Sequence, residues 1–156
     1  MAIARITALI ATLLLPAAAI ASQSVSLSSE VFLEKAITDG NGKVRIVLYE
    51  PKIVTPGDKL IFFLNYHNGG AAPAANFVVT NPLPGAVAFQ GSNDAAALLS
   101  VDNGRNWGEL ALLKVREASG IWRLARMEDV THVRWTMKTP IPAGGQGKLS
   151  FRGIVR

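Results

Sequence analysis

The chain contains no cysteine. That single absence excludes disulfide staples, a thiolate metal site, a redox pair and a cysteine nucleophile. It also excludes acylation as a lipoprotein, because no thiol is available. Histidine is scarce, with only His67 and His132, and neither sits in an H-x-x-x-H or H-E-x-x-H spacing. Phosphate-cradling glycine motifs are missing, as is the G-x-S-x-G turn that presents a nucleophilic serine. Ser100, Ser119 and Ser150 therefore read as ordinary strand or turn residues. Glu109, Glu117, Glu128 and Asp129 supply carboxylates, but nothing in their spacing singles out an acid–base pair.

The positive charge is mild and scattered. The formal net charge is +5, and Lys35, Lys43, Arg45, Lys52, Lys59, Arg105, Lys114, Arg116, Arg123 and Arg126 form no dense cluster interleaved with aromatics. Nucleic acid is not an expected partner. The loops Asp39-Gly40-Asn41 and Asp102-Asn103-Gly104 offer oxygen atoms, but neither extends into a calcium-loop pattern with a distal Glu. No metal or other cofactor is expected, and the chain is read as non-enzymatic.

What is present begins with an export signal. Arg5 gives the start of the chain one positive charge, residues 6–15 are apolar, Pro16 breaks the run, and Ala19-Ile20-Ala21 fits the small-residue cleavage pattern. The apolar stretch is shorter than the roughly 20 residues needed to span a bilayer. Residues 1–21 are read as a cleaved signal peptide, so the mature chain starts at Ser22 with no transmembrane anchor. The expected location is the periplasm, the cell surface or the medium.

After that, the period is that of strands. Residues 25–29 and 31–36 are strand-like, and Asp39-Gly40-Asn41-Gly42 is a strong hairpin turn. Residues 43–50 alternate, with Val44, Ile46 and Leu48 on one side, the pattern of a half-buried strand. Residues 59–67 place Leu60, Phe62, Leu64 and Tyr66 on one face. Shorter strands are expected at 77–80, 86–90, 98–101, 107–115 and 121–124, with a helical turn at 126–130. Residues 131–138 align Val133, Trp135 and Met137, and residues 148–155 align Leu149, Phe151 and Gly153. The prolines Pro82 and Pro84 argue against a central strand at 81–85. The expected fold is all-β: one immunoglobulin-like antiparallel β-sandwich over residues 43–156, preceded by a strand segment and hairpin turn at 22–42. A closed barrel is the alternative.

One stretch resembles a known family. Pro56-Gly57-Asp58 is followed by an alternating strand ending at Asn68-Gly69, then a small-residue loop, then Asn76 to Val79 and an Asn81-Pro82-Leu83-Pro84 turn. Ser100-Val101-Asp102-Asn103-Gly104 and a closing segment around Pro142 and Phe151 follow in order. The pattern resembles the conserved-repeat domain of unknown function in bacterial and archaeal cell-surface proteins. The resemblance implies an immunoglobulin-like sandwich without enzymatic activity. Chemically, Pro56, Gly57, Asp58, Asn68, Gly69, Asn81 and Pro84 read as structural turn residues, because short polar side chains and glycine satisfy reversing backbone.

The functional expectation is a structural or adhesive subunit of the envelope or of an extracellular assembly. It would self-associate or bind envelope proteins, with the strand segment after Ala21 pairing in its own sheet or exchanging with a neighbour. The alternative is a secreted carbohydrate-binding module with glycans as ligands, for which Trp107 is the candidate contact.

Overall fold

The computed structural model describes residues 25–94 and 96–156. The signal-peptide reading of residues 1–21 lies outside them, as does the start of the N-terminal segment. The described chain is all-β and its strands pair antiparallel throughout.

Ten strands follow in order: β1 (Val25–Thr38), β2 (Val44–Tyr49), β3 (Lys59–Asn68), β4 (Val78–Pro82), β5 (Val87–Ser92), β6 (Leu98–Ser100), β7 (Lys114–Arg116), β8 (Trp122–Leu124), β9 (His132–Thr136) and β10 (Gln146–Val155). Five of them form one sheet in the order β2-β1-β3-β10-β5, and three form another in the order β4-β9-β6. β7 and β8 make a separate two-stranded hairpin.

The two larger sheets share one core, a sandwich-like arrangement. Leu60, Phe62, Leu64, Leu149 and Phe151 come from the first sheet; Val79, Leu99, Val133 and Trp135 come from the second. Phe151 is the hub. Its ring stacks on Phe62 at 4.5 Å and lies 6.2 Å from Trp135 in the facing sheet. The alternation along β3, β9 and β10 places these residues inward as the sequence pattern requires, because a period of two sends every second side chain to the same face.

Local chemistry explains the turns. Asp39 accepts backbone N–H groups of Asn41 and Lys43 and closes the β1–β2 hairpin. Gly57 takes a φ of 93°, open to glycine at no steric cost. Gly147 lies under the Tyr66 ring, where any Cβ would collide with the phenol.

Four expectations need correction. Val44, Ile46 and Leu48 do not face the core. Leu48 pairs with Glu34, Ile46 with Ala36 and Val44 with Thr38, whereas the core residue Leu33 pairs with Tyr49. The apolar row of β2 therefore lies on the outward face of the sheet, with Val44 60% and Ile46 59% exposed. The register with β1 turns this row away from the facing sheet, so the pattern is that of a strand but its apolar face is uncovered.

Residues 107–115 are not a strand over most of their length. A 3₁₀ turn occupies Leu110–Leu112, and only Lys114–Arg116 is extended. Leu110 and Leu113 both pack on the core; three residues apart, they share a side in a 3₁₀ turn but not in a strand. The strand expected at 77–80 instead runs on through Asn81 and Pro82. β4 is an edge strand, where a proline costs no ladder bond on its open side. Finally, residues 25–29 and 31–36 are not two pieces but one continuous strand of 14 residues.

Candidate functional site

The residues singled out as turns hold backbone together. The Asp58 carboxylate accepts the Thr55 N–H at 2.8 Å and its hydroxyl at 3.1 Å. The N–H of Gly57 donates to Val155 O, and the N–H of Val155 donates to Asp58 O, fastening the last strand to this turn. Asn81 reaches only the Pro82 carbonyl, at 2.9 Å. Pro84 accepts the Val87 N–H at the entry to β5. Gly69 is exposed in the loop after β3.

Asn68 does more. It is fully buried. Its amide nitrogen donates to the carbonyls of Ala72 and Ile141 at 2.9 Å and of Pro142 at 3.1 Å. Its amide oxygen accepts the Gly70 N–H at 3.0 Å. The Asx turn to Gly70 is local; the bonds to Ile141 and Pro142 tie the end of β3 to the loop before β10.

The segment from Ser100 to Trp107 is a second polar knot. The buried Ser100 hydroxyl donates to Asp102 at 2.8 Å and accepts the Gly104 N–H. Asp102 also accepts the N–H groups of Arg105 and Asn106 and the Asn106 side chain. The backbone N–H of Asn106 is the chief reason its carboxyl is pulled down to about 2, against a smaller opposing push from burial, with the Asn106 and Ser100 side chains adding to the fall. A carboxyl depressed in the folded state contributes stability above the ordinary carboxylate range near 4, lost as pH falls through about 2. The stability advantage of the native chain over Asp102→Asn is expected to shrink between about pH 4 and pH 2. Urea unfolding across that window checks it; an advantage constant with pH would contradict it.

Trp107 closes this loop. Its indole N–H donates to Gly104 O at 2.9 Å. The Arg134 guanidinium lies over the ring at 3.7 Å, and His132 packs edge-on at 6.2 Å. One ring face is thus covered and the polar edge is used internally, which suits a brace between the loop and β9. His132 itself meets the Thr131 hydroxyl at 3.1 Å, and that hydroxyl donates to Ser100 O. His67 is exposed at the end of β3.

The open aromatic is Trp122, which the sequence reading passed over in favour of Trp107. On the β7–β8 hairpin, Arg116 pairs with Trp122 and Lys114 with Leu124, so these four share one face. All four are exposed, Trp122 by 62%. The opposite face of the hairpin is anchored. Arg123 grips Asp129 with two bonds, at 2.5 and 2.7 Å, and meets Glu117 at 3.2 Å. The Arg123 bond holds the Asp129 carboxyl below its usual range, and the pairing raises the guanidinium in turn. The only sequence signal for this was Gly120, which permits the turn that aligns Arg116 with Trp122. No cluster of three or more His, Asp or Glu side chains able to hold a metal ion occurs among the described residues.

Another exposed apolar feature is the row Val44, Ile46 and Leu48, aligned on the outward face of β2. No protein family, curated protein or solved structure matches this chain.

Proposed function

We propose that this chain is an exported, non-enzymatic subunit with an immunoglobulin-like β-sandwich, acting through association within the cell envelope or an extracellular assembly. The observation that carries the reading is the outward apolar row of β2. Three branched aliphatic side chains aligned on an edge strand of a well-packed domain are a contact surface in search of a partner, since such patches on a free protein cost solubility. The polar knots at Asn68 and Asp102 support the same reading. Their polar atoms are spent on holding backbone, the investment expected of a rigid building block without disulfides. The turn residues around Asp58 serve the same end.

The exported chain is expected to co-sediment with the envelope or with an assembly larger than one chain. Ile46→Lys is expected to weaken that retention at least about tenfold, or about 1.4 kcal/mol. Position 46 is exposed, so an unchanged circular dichroism spectrum and urea midpoint separate lost contact from lost fold. A native chain found single and freely released would sink the proposal.

A further inference from the structure

The first sheet has a gap in its edge. β1 pairs with β3 from Val25 to Glu34, but with β2 only from Leu33 to Thr38. On the side away from β3, residues 25–32 have no strand partner among the described residues. This open stretch contains no proline and no Lys or Arg, and Glu30 is its one charged residue. Natural edges are normally guarded by such residues, because an open edge recruits strands.

The geometry points to a second copy of this chain as the occupant, a reading that rests on the associating function proposed above. Two copies related by a twofold axis perpendicular to the sheet lay their open stretches antiparallel, each filling the gap of the other. Each β2 ends with Tyr49 opposite Leu33, so the new ladder runs over residues 26–32 of each copy, and Val25 leaves it where the partner's β2 begins. Faces must match across the new ladder, because side chains alternate. Leu27, Ser29 and Val31 lie on the core-side face with Leu33, while Ser26, Ser28, Glu30 and Phe32 lie on the outer face. Centring the twofold on Ser29 sets Leu27 against Val31 and Glu30 against Ser28. It covers a half-exposed leucine and never opposes Glu30 to its own copy. The contact is isologous and closes on itself, so it gives a dimer. The apolar row of β2 stays on the outer face of the enlarged sheet, free for the contact proposed above.

The lack of cysteine makes the test clean. Paired residues in an antiparallel ladder have Cα atoms about 4.5 to 5.5 Å apart, within disulfide range. Light scattering of the purified exported chain is expected to give a dimer mass. Ser29→Cys is expected to convert most of the chain to a disulfide dimer under mild oxidation, and Ser28→Cys to give only background. Ser28→Glu sets carboxylates against Glu30 and is expected to weaken the dimer at least tenfold while leaving the circular dichroism spectrum unchanged. Crosslinking at 28 instead, or at neither position, overturns the pairing. A chain that is retained in the envelope yet single in solution and uncrosslinked overturns this inference alone. A chain neither retained nor dimeric overturns the functional reading as well.

Discussion

Replacing Asn68 by Asp is expected to be among the most damaging single substitutions in the chain, costing about 3 to 5 kcal/mol of folding stability. The two hydrogens of the native amide nitrogen serve three carbonyls, those of Ala72, Ile141 and Pro142, one hydrogen being shared. A carboxylate oxygen in that place meets three acceptors with no proton to share, in a fully buried position. Asn68→Ala removes the donor without adding a charge and is expected to cost less, about 2 to 4 kcal/mol, for carbonyls left unsatisfied and a lost turn. Urea unfolding of both variants at neutral pH provides the check. The order is the sharper part: an alanine variant less stable than the aspartate variant would mean that packing, not hydrogen bonding, dominates at this position.

Phe151→Ala is expected to cost a comparable amount, about 3 to 5 kcal/mol. The ring is buried and touches both sheets, stacked on Phe62 at 4.5 Å, with Phe89 at 6.4 Å and Trp135 at 6.2 Å. Its removal leaves a cavity bounded by rigid rings that cannot collapse to fill it. Phe151→Leu keeps most of the volume and is expected to cost far less, since near-isosteric swaps are tolerated. With no disulfide to limit the unfolded chain, either large loss falls directly on the core. A urea midpoint series over wild type, Leu and Ala measures the cavity contribution, and equal losses for Leu and Ala would show that the aromatic contacts rather than the volume matter.

Much of the fold was legible because its signals are local. The alternation in β3, β9 and β10 names the core face directly, and Asp39-Gly40-Asn41-Gly42 marks its hairpin. Asp58 was readable as a turn residue because its partner Thr55 is three positions away. What escaped depends on distance. The period of β2 marks a strand, but which of its sides meets the core is decided by its register with β1, where Tyr49 rather than Leu48 lies opposite the core residue Leu33. Asn68 shows only its Asx turn in sequence, while two of its carbonyl partners lie more than seventy positions downstream. Trp107 and Trp122 look alike as letters. They part company because Arg134 folds over one ring, while the Arg123–Asp129 pair turns the hairpin so that the other faces outward.

The order of the first sheet has a mechanical consequence. β1 and β10 flank β3 and run parallel to each other. β1 begins beside Asn68 at one end of β3, and β10 reaches Lys59 at the other. Tension applied between Val25 and Val155 therefore loads both ladders in shear, along the strands, so that the hydrogen bonds of each ladder resist together. A pull that peeled the strands apart would break them one at a time. A domain strung by these two ends transmits force as a strap does, in the direction of its greatest strength.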